Sequence, residues 1–512
     1  MPFTPASTSP AHPRAGRREW LGLAVLVLPT LLLALDMTVL HLAAPHLSAD
    51  LEPSSAELLW ILDIYGFMVA GFLITMGTLG DRIGRRRLLL IGATAFGLAS
   101  LAAAFAHSSV MLIATRALLG IAGATLMPST LALIRNMFHL EHERTLAITI
   151  WMTGFIVGSA IGPLVGGIML AFFWWGSVFL LAVPVMVLLL LVGPWLLPEF
   201  RDEQAGRLDL ASALLCISAV LLLIFGIKDS ARDGINLLAS GSLLAGLLVG
   251  TLFVRRQRRL VEPMFDLALF RQPAFSVSVS AMMLCILALS GAWLLIFQYL
   301  QGALGMTPLQ AGLVMLPSAL LQTAASLLVP RMARWLAPRV LISGGLLIAV
   351  MGFLVLLVIG QFPGPWLMVL ATVLLGVGIM PMMILGTDLV IGSAPPEKTG
   401  AAAATSETAT EMGMALGIAV IGSVGAAVYR EHMMEQLPAG LSAHQIEVAS
   451  DTVGGALGLA AHLPEVMATQ VLSALQLSFT LALQTNALIG AIIMGGAAWL
   501  TGRYLAGAKP HR

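Results

Sequence analysis

The sequence predicts an all-α polytopic membrane protein with fourteen transmembrane helices, arranged as six, two and six. Hydrophobic residues make up 58% of the 512 residues and charged residues only 10%, whereas soluble domains are about 25% charged. Apolar runs of about 20 residues, the length that crosses a bilayer, recur along the whole chain. The positive charges cluster in alternate loops. The net charge of +1 gives no indication of a nucleic-acid partner.

The predicted spans begin after Arg14, Arg17 and Arg18. The first apolar run exceeds the roughly 7–15 residues of a signal-peptide core, so we expect it to be retained as a span. The last boundary is the least defined, because the partly apolar region 441–476 has room for a short helix or hairpin on the outer side. The spans lie at roughly 20–42, 57–79, 88–106, 109–131, 146–170, 175–197, 209–228, 235–254, 275–299, 309–330, 339–360, 365–391, 401–428 and 477–502.

Positive charges fall mainly on one side of these spans. With the N-terminus inside, the outer segments hold only Lys228, Arg232 and Arg430, and Arg116 lies within a span. The rest of the 27 lysines and arginines fall in inner segments, as the positive-inside rule expects. One miscounted helix would invert every later loop and remove this asymmetry. We therefore predict a multi-pass protein of a bacterial cytoplasmic (inner) membrane with both termini cytoplasmic.

A repeat divides the chain. The second and tenth predicted spans both end in arginine-containing inner loops, at 80–87 and 330–335, as expected of two related halves. We predict a cytoplasmic tail at 1–19, a six-helix bundle at 20–197, a linker with two additional spans at 198–274, a second six-helix bundle at 275–504 with an outer loop at about 429–476, and a tail at 505–512.

Four motifs follow one another in the first five spans. They are LDMTVLHLAAP at 35–45, GTLGDRIGRRR at 77–87, RALLGIAG at 116–123 and GFIVGSAIGPLVGG at 154–167. Together they resemble the motifs of the major facilitator superfamily, and in particular its fourteen-helix drug:proton antiporters. The segment WILDIY at 60–65 is most similar to methyl viologen and quaternary ammonium compound efflux proteins. The resemblance implies the major facilitator fold.

Two of these motifs are expected to act in conformational change. The resemblance implies a cytoplasmic charge latch in the loop with Gly77, Gly80, Asp81, Arg82, Gly84 and Arg85, whose arginines also serve topology. In the fifth span, small residues at a four-residue spacing allow close helix packing, and Pro163 loosens the backbone. We predict a packed seam that opens and recloses there; tight packing alone is the alternative. The seam residues are Gly158, Gly162, Pro163, Gly166 and Gly167.

Charges inside predicted spans are the first candidates for function, because each costs roughly 2.5–3.5 kcal/mol at a helix centre. Asp36, Asp63 and Arg116 lie on three spans at a similar depth, roughly 8–10 Å below the outer edge. Arg116 can offset one carboxylate, so we predict that these three residues couple transport to protons. A static buried ion pair is the alternative.

Glu407 and Glu411 lie four residues apart on one face of the thirteenth predicted span. Two carboxylates this close cannot both ionise cheaply in a low dielectric. We predict that this pair, with Asp63 and the rings of Tyr65 and Trp151, binds the cationic substrate; aromatic rings attract cations. For Glu407 the alternative is a solvated residue at the membrane interface, and for the rings it is packing.

The sequence has no Walker loop, dinucleotide fingerprint, nucleophile elbow or zinc-spaced His/Cys set. We therefore expect no enzyme, cofactor or metal, and transport driven by the proton gradient. We predict a proton-coupled antiporter that exports lipophilic cations such as quaternary ammonium compounds, methyl viologen and cationic dyes by alternating access. The alternatives are a symporter or an exporter of another metabolite or lipid on the same fold, and, from other classes, a membrane enzyme or a channel. Beyond the bilayer, protons and small cations, no partner signature is present, and a monomer is expected.

Overall fold

A computed structural model of the chain describes residues 14–201, 209–234, 236–260, 263, 267–361, 364–394 and 399–505. Within these residues the secondary structure is helical. The helices of the first half are α1 Arg17–Leu51, α2 Ser55–Ile83, α3 Arg85–Ala104, α4 Ser109–Met137, α5 Glu141–Phe172, α6 Ser177–Leu180 and α7 Ala182–Leu196. The next two are α8 Leu210–Asp233 and α9 Leu237–Gln257. The second half holds α10 Pro273–Gln298, α11 Pro308–Met332, α12 Pro338–Leu357, α13 Trp366–Ser393, α14 Thr399–Gln436, α15 Ala443–Asp451, α16 Val453–Ala460 and α17 Glu465–Tyr504.

The predicted spans correspond to these helices. In the described residues, 13 helical segments are long and apolar enough to cross a membrane, with α6 and α7 together forming one of them. The remaining predicted span is α5, whose apolar stretches are Leu146–Phe155 and Ile161–Phe172. The all-α membrane fold expected from the sequence is confirmed.

The long helices pack into two bundles. In the first bundle α1 packs against α5, and α4 packs against α2 and α3. In the second, α10 packs against α14, and α12 packs against α13 and α17. The bundles meet through α2 with α14 and through α5 with α11. The additional pair α8–α9 lies against the α2–α14 seam, because α8 packs against both helices.

The two ends of the bundles differ. We call the end with the α2–α3 turn and the end of α11 the arginine-rich side, and the other end, which carries α15 and α16, the capped side. On the capped side Asp451 accepts hydrogen bonds from the Ser55 amide at 3.0 Å and its hydroxyl at 3.2 Å, and it pairs with Arg430. The amide of Gln301 donates to the Leu42 carbonyl at 2.9 Å. These contacts join the bundles on the capped side. The short helices α15 and α16 fill the region whose structure the sequence left open.

The start of α2 is fixed by a capping box. The Ser54 hydroxyl accepts from the Glu57 amide at 3.3 Å, and the Glu57 carboxylate accepts from the Ser54 amide at 2.9 Å. Such a box satisfies two amides that the first turn would leave unpaired. It sets where α2 begins, and therefore the depth of every polar residue along it.

Candidate cation and proton site

The first part of the site is a buried ion pair between α1 and α4. The Arg116 guanidinium lies 2.7 Å from the Asp36 carboxylate, and the Arg116 Nε donates to the Ile61 carbonyl at 3.2 Å. The side chain of Arg116 is 2% exposed and that of Asp36 is 13% exposed. The structure thus brings together two of the three residues predicted for coupling, and their carboxylate remains partly open.

Tyr65 lies beside this pair. The Arg116 guanidinium carbon sits 4.7 Å from the centre of the Tyr65 ring, within the range of a cation–π contact. This approach depends on two glycines of α4: a Cβ at Gly120 would lie 2.5 Å from the Tyr65 carbonyl oxygen, and one at Gly123 would lie 3.0 Å from its hydroxyl. The Tyr65 ring, which was predicted to bind the substrate cation, therefore contacts the Arg116 guanidinium in this structure.

The second bundle contributes the two glutamates of α14. Glu411 is buried and lies where α14 meets α2: a Cβ at Gly66 would be 3.2 Å from the Ala415 Cβ and 3.9 Å from the Glu411 carbonyl oxygen. Its Oε2 atom has no hydrogen-bond partner among the described residues. Gly66 follows Tyr65 on α2, so the Glu411 backbone approaches α2 one residue beyond the ring that contacts Arg116.

Glu407 lies one turn from Glu411, toward the arginine-rich side, and is exposed. Residues four apart share a helix face, and on this face Glu411 and Ala415 approach α2. The bundles therefore touch at Ala415, and Glu407 is exposed two turns away on the same helix face, toward the arginine-rich side.

Trp151 is placed differently from the other predicted substrate residues. Its indole Nε1 donates to the Thr130 hydroxyl at 3.2 Å, and the side chain is buried in the first bundle. The contact joins α5 to α4. In this conformation the ring packs within the first bundle.

Asp63 is paired with a lysine of the additional helix pair. Its carboxylate lies 2.7 Å from the amino group of Lys228 on α8. Lys228 was predicted to lie in an outer segment, but α8 continues beyond it to Asp233 and Lys228 is 3% exposed. Depth alone could not reveal this partner, because the rotation of α2 decides which helix Asp63 faces.

The arginine-rich loop folds as a tight turn between α2 and α3. Asp81 and Arg85 form an ion pair of 2.5 Å across it. Gly84 has a φ of 109°, a conformation that favours glycine, and a Cβ there would lie 2.4 Å from the Glu199 carboxylate. Gly77 and Gly80 line the last turns of α2 and Arg82 is exposed. The predicted link between helix ends lies within the first bundle.

The glycines of α5 form two seams. One packs on α1: a Cβ at Gly158 would lie 2.3 Å from the Leu31 carbonyl oxygen, and one at Gly162 would lie 1.8 Å from the Thr38 hydroxyl. Gly166 continues this seam against Val39. The other seam joins the bundles, where α5 packs on α11. A Cβ at Gly167 would lie 2.8 Å from the Leu309 Cα, and a Cβ at Gly312 would lie 2.5 Å from the Pro163 carbonyl oxygen.

Comparison with known proteins assigns this architecture to a family. The sequence model of the Major Facilitator Superfamily matches residues 26–418. The chain belongs to the Major Facilitator Superfamily. Its buried ion pairs therefore belong to a membrane transporter, not to an enzyme. Among the described residues, no group of three His, Cys, Asp or Glu side chains could hold a metal ion.

Two relatives within the Major Facilitator Superfamily are similar over almost their whole length. The multidrug efflux pump LfrA of Mycolicibacterium smegmatis is 42% identical, covering 96% of this chain and 98% of the relative. The methyl viologen resistance protein SmvA of Salmonella typhimurium is 39% identical, covering 90% of this chain and 93% of the relative. The resemblance stated from the motifs is confirmed.

Solved structures share the fold. A bacterial homologue of the human lysosomal transporter Spinster, in an inward-facing and unoccupied conformation, matches with a TM-score of 0.66 and 15% identity, covering 96% of this chain and 98% of that one. The nucleoside transporter NupG matches with a TM-score of 0.60 and 12% identity, covering 93% and 99%. At this identity the likeness concerns the Major Facilitator fold alone.

Proposed function

We propose that this chain is a proton-coupled multidrug exporter of lipophilic cations in a bacterial cytoplasmic membrane. The observation that carries the proposal is the set of acids near the contact of α2 with α14. The first bundle holds the Asp36–Arg116 pair against the Tyr65 ring. The second holds Glu411, whose backbone approaches Gly66, and the exposed Glu407 one turn away. A net acidic, partly apolar site suits a cation with an organic body. The names of LfrA and SmvA support the same substrate class.

The direction of transport rests on the charge asymmetry of the loops. The positive-inside rule places the arginine-rich side in the cytoplasm, together with both termini. We infer an opening between the bundles at the exposed Glu407, which then faces the cytoplasm, while the capped side faces outward. A cation enters from the cytoplasm, the bundles rock, and the opening is presented to the outside, as in alternating access.

Competition for negative charge couples the two fluxes. In the cytoplasm-facing state the ionised glutamates of α14 hold the cation. Protons arriving from the outside neutralise these groups and release the cation. The ion pair between Arg116 and Asp36 breaks when that carboxylate takes up a proton and re-forms when it loses the proton. Each charge moved through 100 mV contributes about 2.3 kcal/mol, so protons entering down their gradient can drive export of a charged compound.

Everted membrane vesicles test this function. We expect ethidium and methyl viologen to be taken up into everted vesicles when the interior is acidified, and uptake to stop when a protonophore removes the gradient. Glu411→Gln and Asp36→Asn should each abolish proton-driven uptake. The matched control is Glu435→Gln, an exposed carboxylate on the same helix α14, which should transport normally.

Two results would contradict the proposal. Normal ethidium uptake by Glu411→Gln and Asp36→Asn would remove the assigned roles. Accumulation of substrate in right-side-out vesicles, driven by protons moving in the same direction, would show a symporter.

A further inference from the structure

The additional helix pair is joined to the first bundle by charge. Lys228 of α8 and Asp63 of α2 are 2.7 Å apart, with side chains 2% and 0% exposed. The Lys228 amino group also lies 4.0 Å from the centre of the Trp60 ring, one turn earlier on α2. The amino group of Lys228 is thus held by two side chains of the same helix.

The direction of Asp63 separates it from the candidate site. Residues two apart on an α-helix point about 200° apart, so Asp63 and Tyr65 lie on opposite sides of α2. Tyr65 faces α4 and Arg116, whereas Asp63 faces α8. The carboxylate of Asp63 therefore points away from the side of α2 on which Tyr65 contacts Arg116.

The contacts of α8 are unequal on its two sides. Toward α2 it has the ion pair, the Trp60 contact and a close approach in which a Cβ at Gly71 would lie 2.1 Å from the Ile217 side chain. An apolar cluster joins α8 to both α2 and α14 and contains Ile224, Phe67, Ala415 and Ala419. The contacts of α8 to α14 in this cluster are apolar, whereas separating the buried ion pair with α2 is strongly unfavourable.

We propose that Lys228 is a positioning residue that fastens the additional helix pair to the first bundle through Asp63, so that the pair moves with this bundle and Asp63 takes no part in cation or proton exchange. The proposal rests on the alternating access proposed above. Because α8 covers the α2–α14 seam, it must part from one bundle when that seam opens. The buried ion pair to α2 and the apolar contacts to Ala415 and Ala419 of α14 favour separation from α14.

Two engineered disulfides test the motion. In Gly71→Cys/Ile217→Cys the Cβ atoms would be 3.6 Å apart, and in Gly66→Cys/Ala415→Cys they would be 3.2 Å apart, both close to the roughly 3.5–4.5 Å of natural disulfides. The first joins α8 to α2 and should leave ethidium uptake into everted vesicles unchanged after oxidation. The second joins the bundles and should abolish uptake until dithiothreitol is added.

Both pairs are placed in a Cys216→Ala/Cys285→Ala background, since these two native thiols are free and Cys216 neighbours Ile217. If both disulfides block uptake, the helix pair α8–α9 does not move with the first bundle. In that case this inference fails and the proposed function stands. If the α2–α14 disulfide leaves uptake intact, alternating access at this seam fails, and the proposed function with it.

Charge removal tests the exclusion of Asp63. Asp63→Asn and Lys228→Met each leave one buried charge unpaired and should reduce the yield of folded protein. The double variant Asp63→Asn/Lys228→Met removes both charges and should restore folded protein, with the wild-type KM for ethidium and for the dication methyl viologen and the wild-type dependence of uptake on the pH gradient. A double variant that folds but shows a raised KM for methyl viologen or an altered response to the pH gradient would overturn the inference, because a merely structural pair moves neither.

Discussion

Asp36–Arg116 and Asp63–Lys228 are the same chemical pair in two settings. Both join an aspartate and a cation at 2.7 Å, and both cations also lie over an aromatic ring of α2. They differ in access: the Asp36 side chain is 13% exposed and that of Asp63 is 0% exposed. They also differ in the helices that they join, because the first pair links α1 to α4 and the second links α2 to α8.

Under the function proposed above, the difference separates a buried charge that takes part in transport from one that fixes a helix. A charge pair can take part in transport when water, a proton or a substrate can reach it. The Asp36 carboxylate is partly exposed and meets this condition. The Asp63 carboxylate is fully buried, and its partner Lys228 comes from the additional helix α8.

The largest effect on stability is expected from removing one partner of the Asp36–Arg116 pair, compared with removing both. Arg116→Met leaves Asp36 without its partner and should destabilise the protein by about 3–5 kcal/mol, measured by thermal unfolding in detergent. Asp36→Asn/Arg116→Met should recover stability but not proton-driven ethidium uptake. If this double variant transports normally, the two pairs are equivalent and the comparison is wrong.

The contacts that hold α15 on the capped side are expected to contribute less to the stability of the protein. Asp451→Asn weakens the ion pair with Arg430 and the hydrogen bonds from Ser55, and hydrogen bonds to charged groups contribute about 1.5–3 kcal/mol each. We expect a lower unfolding temperature and faster labelling of a cysteine placed at the capped ends of the bundles. Glu447→Gln, an exposed acid of the same short helix α15, is the control and should change neither measurement.

A side chain in the α1–α5 seam should have a somewhat smaller effect. Gly162→Ala places a Cβ 1.8 Å from the Thr38 hydroxyl, and overpacking costs about 1–3 kcal/mol. We expect reduced stability together with reduced uptake. Gly344→Ala, with open space around its new Cβ, should be neutral or slightly stabilising; equal effects of the two substitutions would show that the seam is not tightly packed.

The smallest effect concerns the ring beside Lys228. Trp60→Leu removes a cation–π contact of about 0.5–2 kcal/mol and should lower the unfolding temperature without changing the KM for methyl viologen. The exposed Trp335, with its ring outside the packed core, provides the control Trp335→Leu. A change in KM at Trp60 would mean that the Asp63 region does contact the substrate.

Hydropathy was sufficient to predict the fold because every span must satisfy its backbone internally and present an apolar surface. It could not give the ends of helices that continue into water: α14 reaches Gln436 and α17 begins at Glu465, beyond the predicted spans at both places. Lys228 was missed for this reason. A charged residue at the end of an apolar run has the pattern of a boundary, and only the neighbouring helix shows that it is buried.

The site was predictable in depth but not in direction. Counting residues along α1 and α4 placed Asp36 and Arg116 at one level, and the structure brings them together. The same count for Asp63 gave a similar depth, yet its side chain faces another helix. Direction depends on contacts between residues that are far apart in the chain, such as α2 with α8, which local patterns do not contain.

The contact between Gly162 and Thr38 carries a lesson for engineering this protein. Thr38 is two residues from Asp36 on α1, so whatever displaces α1 at Thr38 also displaces the acid that Arg116 holds. A substitution in α5 with no charge and no contact to any cargo should therefore alter which compounds cells resist. Screens for altered resistance should recover changes at these glycines as readily as at the acids themselves.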